Sequence, residues 1–437
     1  MGDERKTLIS KSSKAFNRCI SHAGDELHSF RSCLRWMCVD HSSIWGACLS
    51  WSLFVLLSIV VPLLSHFVLA CSTCDTRHHR PYDKVVQLSL TVVAILSFYC
   101  LSRIVRRYGL RRFLFLDKLC EESEQVGQGY TEQLNRSWKI LLVFVLPCFA
   151  AESAYKIWWY SSGGSQIPFL GNAMVSDAVA CTLELCSWLY RTSIFFLACV
   201  LFRLLCSLQI LRLQDFALVF QMEYEVASVL KEHLRIRRHL RIISHRYRAF
   251  ILLALGIITA SQLASLLMTT RSHAIVNFFT AGELALCSIT LVTGLMICLR
   301  SATKITHKAQ SVTSLAAKWH VCATIDSFDS TDCETPAAVD QPVRPHVLEF
   351  PINANGEWDD DETADGDDEL DNTNIILPIY ARTISFQKRQ ALVTYLENNR
   401  AGITVYGFVL DRSTLHTIFG VEMSLVLWLL GKTIGIS

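Results

Sequence analysis

Charge is scarce in this chain, and the patterns that mark a catalyst are missing. Only 18% of its 437 residues are charged, against 51% hydrophobic. That balance argues against an ordinary soluble domain and fits a polytopic membrane protein. No His-Glu-x-x-His pattern, phosphate-binding Walker loop or nucleophile elbow occurs, so neither an enzyme nor a cofactor is expected. No cleavable leader is expected either. The first 43 residues are polar with seven Lys or Arg, and the apolar run that follows is too long for a signal-peptide core. It is expected to act as a signal-anchor. The seventeen cysteines lie mostly in apolar runs or in segments assigned to the cytosol, so they are expected to be reduced.

What is present is a series of long apolar runs. A span needs about 20 such residues, and seven candidates emerge: Ile44–Ala70, Val85–Leu101, Ile140–Tyr160, Val179–Ile210, Ala249–Thr270, Ile275–Leu299 and Ile403–Leu430. The expected fold is all-α, a polytopic membrane protein with seven transmembrane helices, because lipid cannot satisfy an open backbone. Orientation follows from Lys and Arg. Segments 1–43, 103–139, 211–248 and 300–402 hold 7, 8, 8 and 9 of them, whereas 71–84, 161–178, 271–274 and the tail hold 3, 0, 1 and 1. Positive charge stays inside, which places the N-terminus in the cytosol and the C-terminus outside. The sequon Asn135-Arg136-Ser137 then faces the cytosol and should carry no glycan.

The net charge of +2 conceals an asymmetry. Residues 326–371 hold 16 acidic side chains and one basic, Arg344, which leaves 40 basic and 23 acidic elsewhere, or +17. The basic excess reads as cytoplasmic flanking of spans and not as nucleic-acid binding. The acidic stretch, with DDDETADGDDELD at its centre, reads as disordered, either a solvated spacer or a partner-binding or ion-sensing tail. Four regions follow: a cytosolic segment 1–43, a six-helix bundle with cytosolic extensions over 44–319, the acidic loop 320–380, and 381–437 with a short cytosolic helix and the last span.

Ionisable residues inside spans are expensive and are functional candidates by default. They are His66, Glu152, Glu184, Glu283 and Glu422. Glu152 and Lys156, four apart, could pair on one helix face. Helix packing or a water-facing cavity is the plainer reading. Cys71-x-x-Cys74 with His78-His79 has metal-like spacing, but one such pair is weak and no metal is expected. His233, His239 and His245 in KEHLRIRRHLRIISHRYR scatter around a helix. That basic run reads as positive flanking or an anionic-lipid contact.

The closing run TVYGFVLDRSTLHTIFG places a charged pair inside an apolar segment. Read as one helix from Ile403 to Leu430, about 42 Å long, it sets Asp411 and Arg412 near the inner interface. At helical period, Asp411, Leu415, Ile418, Glu422, Leu425 and Leu429 form one stripe. Ser413, Thr417, Gly420, Ser424 and Gly431 form the opposite face, with Trp428 at its edge. The small polar face is suited to close helix packing or to a wall of water among several copies.

The pattern aromatic-Gly-x-x-Leu-Asp-Arg-x-x-Leu, here Tyr406, Gly407, Leu410, Asp411, Arg412 and Leu415, resembles the last helix of insect gustatory receptors. Their following Thr-Tyr, five hydrophobic residues and Gln-Phe correspond to Ser424-Leu425, Val426 to Leu430, and Gly431-Lys432. The spacing is kept and the four marker residues are replaced. RRFLFLDKL, LQILRLQDFALVFQMEYEV and TKITHKAQSVTSLAAKWH look like the plant gustatory-receptor-like proteins, often known only as a domain of unknown function. The resemblance extends over roughly Ser102–Ser437. It implies a seven-span, N-terminus-in, ligand-gated cation channel in the bilayer. Four copies would surround a pore lined by the last helix, with Trp428 near a hydrophobic narrowing. A small-molecule ligand would enter the outer half of the bundle. A transporter and a non-conducting scaffold are the alternatives the residues leave open.

Overall fold

The computed structural model describes residues 44–68, 80–108, 124–162, 172–218, 226–271, 278–329 and 386–434. The acidic stretch beyond Asp329, the Cys71/Cys74 pair with its histidines, and the segment RRFLFLDKL lie outside them.

Nine α-helices account for nearly all of the described residues. Helix α1 (Ile44–Val55) passes through a π-turn (Leu56–Val60) into α2 (Val61–Val68). Then come α3 (Asp83–Tyr108), α4 (Glu124–Ser161), α5 (Ala173–Leu218), α6 (Val226–Thr269), α7 (Phe278–Asp329) and α8 (Phe386–Asn398). A hairpin of β1 (Thr404–Val405) and β2 (Phe408–Val409) precedes α9 (Arg412–Ile434). Among the described residues, six stretches are long and apolar enough to cross a membrane: the α1–α2 unit, α3, α5, α6, α7 and α9. The protein is an integral, multi-pass membrane protein. Helices α5, α6 and α7, of 46, 44 and 52 residues, are each more than ~60 Å long. That is twice the hydrocarbon thickness of ~30 Å, so they extend beyond the bilayer. Asn135 lies within α4.

The chain divides into two compact units. The first comprises Met1–Gln209, Arg241–Thr306 and Ile403–Ser437. Its centre is α5, where every residue from Ile194 to Phe202 is buried, as expected of a helix apolar all round. Phe54 stacks on Phe98 at 4.1 Å, joining α1 to α3. The π-turn has a visible use. A π-turn frees backbone carbonyls from the regular ladder, and here Ser187 donates to Leu57 O (2.6 Å) and Thr91 to Ser58 O (3.2 Å).

The second unit comprises Ile210–Leu240 and His307–Gly402. Helix α8 buries Arg389, Leu392, Val393 and Leu396, the spacing of one helical face. Arg237 of α6 donates to Asn399 Oδ1 at 2.7 Å, and the His233 ring meets Tyr395 edge-on at 5.6 Å. Arg212 lies 3.1 Å from His239. The three histidines differ as the helical scatter predicts: His233 and His239 are buried and His245 is exposed.

The closing segment corrects the expectation of one helix from Ile403. Residues 404–409 form a two-residue hairpin with Tyr406 at φ 49° and Gly407 at φ 95°. Two positive φ values are what the tight hairpin turn with the matching twist needs, and the flanking Val and Phe residues favour strand. Thr306 and Ser244 hydroxyls accept from the N–H groups of Ile403 and Thr404, both at 3.1 Å. Asp411 then caps α9, accepting from Thr414 N at 2.9 Å and the Thr414 hydroxyl at 2.7 Å. The charged pair therefore does not interrupt a helix; it starts one.

Candidate functional site

The side chains that cost most to place in a membrane converge in the first unit. Lys156 of α4 is 2% exposed. Its ammonium lies 3.0 Å from Glu184 of α5, 2.9 Å from Glu283 of α7 and 3.8 Å from Glu152, one turn earlier on α4. Three of the four carboxylates singled out from sequence thus surround one lysine, and Glu152 and Lys156 do share a helix face. Arg80, just before α3, adds a second cation 3.3 Å from Glu184, with its guanidinium 3.6 Å over the Trp159 ring. Ser65 of α2 also donates to Glu184. Buried charges survive when paired and hydrogen-bonded, and Glu184 and Glu283 meet that requirement.

Glu152 does so least. It is 1% exposed, and among the described residues neither of its oxygens receives a hydrogen bond. Beside it lies a cavity of about 10 Å³, lined by Pro62, Gln87, Glu152, Lys156, Glu184 and Arg191 among others. That volume is about enough for one water. Arg191 of α5 is buried and donates to Thr91 Oγ1 at 3.2 Å and to the carbonyls of Ser187 and Gln87. His66 lies 3.9 Å from Asp83. The cluster ties α2, α4, α5 and α7 together through charge. The hydrogen bonds to Glu184 and Glu283 come from Lys156, Arg80 and Ser65, so the arrangement suits locking helices or recognising a polar group. Among the described residues, no group of three or more His, Cys, Asp or Glu side chains is placed to hold a metal.

Sequence reasoning missed two members. Arg191 was visible as a charge within an apolar run. Arg80 was counted only as a loop charge, because nothing in its neighbourhood shows that the chain folds it back onto α5. Glu422 stands apart from the cluster: buried on α9, it accepts from the Thr259 hydroxyl of α6.

Helix α9 has the two faces its periodicity predicts. Glu422, Val426, Leu429 and Thr433 are buried, and Leu415, Ile418 and Leu425 are half-buried. On the other side Ser413, Thr417, Gly420 and Ser424 are exposed, while Trp428 and Gly431 are half-buried. Phe419, Val421 and Leu427 are exposed beside them. Among the described residues, nothing therefore covers the Ser413, Thr417, Gly420 and Ser424 part of the small face. Its hydroxyls turn back onto the helix, Thr417 to Ser413 O at 3.1 Å and Ser424 to Gly420 O at 2.6 Å. Of the other residues in the receptor-like pattern, Gly407 makes the turn, Asp411 the cap, Arg412 is exposed at the first helical position, and Leu415 belongs to the half-buried stripe.

No curated protein matches this chain. Among solved structures it is similar to the insect olfactory receptor OR5 from Machilis hrabei in complex with eugenol. The TM-score is 0.54 and the identity 13%, over 89% of this chain and 90% of the receptor. The same receptor without that description of a complex gives a TM-score of 0.51 and 12% identity over the same shares. At such identities the likeness is one of fold: this chain has an insect olfactory receptor-like fold. The family model described as "Protein of unknown function (DUF3537)" matches residues 25–421, and the chain belongs to that family.

Proposed function

We propose that this chain is the subunit of a homotetrameric, ligand-gated cation channel or chemosensory receptor, with α9 of each copy lining a central pore. The observation that carries the reading is the exposed face of Ser413, Thr417, Gly420 and Ser424 opposite a buried stripe on the same helix. Small and hydroxylated residues on an unpacked side of a spanning helix suit contact with other copies or with water better than contact with lipid. The olfactory receptor-like fold supports it, since that receptor was solved in complex with eugenol, a small molecule. No nucleic-acid partner belongs to this reading.

Seven spans belong to the same proposal, with the N-terminus cytosolic and the C-terminus extracytosolic. The seventh is the apolar half of α4, Ile140–Tyr160. Its charges, Glu152 and Lys156, need not oppose insertion, because Lys156 is neutralised by Glu184 and Glu283 from two other spanning helices. The assignment to the plant gustatory-receptor-like group and the absence of enzymatic activity are further parts of the proposal.

A small-molecule transporter or non-conducting scaffold is the second reading, and Trp428 favours it. A bulky ring on the edge of the small face, with Gly431 one turn on, is suited to plugging a narrow pore. The first test is the oligomeric mass in mild detergent and in lipid nanodiscs. A tetramer supports the channel reading, and a monomer stable in both removes the central pore. Patch-clamp recording of W428A then separates the two readings: altered or unmasked current supports the pore, and tetramers that stay silent in both forms support the scaffold.

A further inference from the structure

Helix α6 carries a basic face that the site above does not use. Lys231, Leu234, Arg238, Arg241 and His245 are all exposed. At about 100° per residue they fall within an arc of roughly 80°. Arg235, half-exposed on the flank, already pairs with Glu232 at 3.4 Å. His245 lies 3.3 Å from Arg248, and the three cations of the row, Lys231, Arg238 and Arg241, need an anionic partner or open water; two anionic partners compete: lipid headgroups and the acidic stretch of this same chain.

Distance decides between them. The apolar part of α6 begins near Ala249. Lys231 lies 18 residues before it, or ~27 Å along the helix, and Arg238 lies ~16 Å before it. The headgroup region adds only ~5–7 Å on each side of the hydrocarbon core, and an ordinary helix tilt of ~20° shortens these distances by less than a tenth. His245 is within reach of headgroups, whereas Lys231 and Arg238 are not.

The acidic stretch is joined in sequence to the helix that packs on this part of α6. It runs between Asp329, the end of α7, and Phe386, the start of α8. Helix α8 rests on the same portion of α6, through Arg237–Asn399 and His233–Tyr395. Residues 357–371 hold ten acidic side chains and no basic one, and 14 residues lie between Asp371 and Phe386. A flexible linker of that length has a root-mean-square span of about 20 Å, comparable with the length of α8 itself, ~20 Å. Short tethers give effective concentrations in the millimolar range, so even a weak electrostatic contact is populated. We propose that residues 357–371 dock on the Lys231, Leu234, Arg238 face of α6 in the same chain, as an intramolecular acidic ligand. This reading does not depend on whether the protein conducts.

The test uses the full chain in nanodiscs, with a photo-crosslinking amino acid at position 234 and the crosslinked peptides read by mass spectrometry. In phosphatidylcholine at physiological salt, the crosslink is expected within 357–371. It should fall about fivefold or more in 1 M salt, where the Debye length drops from ~8 to ~3 Å, and equally in K231Q/R238Q. A second variant, with Asp359, Asp360, Asp361 and Glu362 changed to their amides, leaves every described helix untouched and should lose the crosslink too. A crosslink that survives both charge removals overturns the proposal. So does one that moves to lipid when phosphatidylserine is added, or one that never reaches 357–371.

Discussion

Replacing Lys156 with Met removes the one ammonium on which Glu152, Glu184 and Glu283 converge. The volume changes little, so the effect is electrostatic. Glu184 keeps Arg80 and Ser65, but Glu283 loses its 2.9 Å bond. Removing one partner of a buried pair typically costs ~3–5 kcal/mol, and we expect ~4 kcal/mol here. For a large chain a kcal/mol corresponds to about 2 °C in Tm, so K156M should melt roughly 8 °C lower, by scanning fluorimetry in nanodiscs at a fixed scan rate. E152Q should behave differently. Glu152 receives no hydrogen bond and sits 3.8 Å from Lys156, so removing its charge should cost less than ~1 kcal/mol or raise Tm. The double variant K156M/E283Q should recover at least ~1 kcal/mol relative to K156M, the signature of coupled neighbours. A K156M protein that melts within ~2 °C of the original, or an E152Q protein that loses as much as K156M, would refute the hub.

Three further outcomes follow from other parts of the molecule. A Cβ at Gly294 of α7 would fall on the buried Phe195 ring of α5, so G294A should cost ~1–3 kcal/mol by overpacking, read as a lower Tm than a control substitution at Gly282, where a Cβ meets nothing within 4 Å. Gly407 sits at φ 95° with open space around it, so G407V should be strained through its backbone alone. Its effect should be faster hydrogen exchange at Leu410, whose N–H bonds Ile403 O at 3.0 Å. Asp411 has a lowered pKa because the Thr414 N–H and hydroxyl donate to its carboxylate. A depressed folded-state value means that its contribution is complete above the ordinary Asp value of about 3.9 and is lost as pH falls through the lowered value. Exchange protection of the first turn of α9 should therefore drop in acid, and D411N should flatten that dependence.

Membrane character was legible because length and apolarity are local properties. A run such as Val179–Ile210 needs no partner to declare itself, and the structure places α5 over it. The two faces of α9 were legible for the same reason, since a 3.6-residue period is written into the order of Leu415, Ile418, Glu422 and Leu429. The hairpin before α9 was misread. Tyr406 and Gly407 lie in an apolar run that composition alone cannot separate from a helix, and the strand pairing is settled partly by the bonds that Ser244 and Thr306 accept from far along the chain.

The charge cluster shows where sequence stops. It identified Glu152, Glu184 and Glu283 as costly residues in separate spans, because a carboxylate in lipid is improbable wherever it occurs. It did not show that all three meet one lysine, or that Arg80 joins them, because those residues are as much as 203 positions apart in the chain numbering from 80 to 283. Local periodicity sets which face of a helix a side chain occupies. Only the packing of α2, α4, α5 and α7 decides which faces oppose one another, and in a low-dielectric interior that choice determines whether a buried charge is paired or stranded.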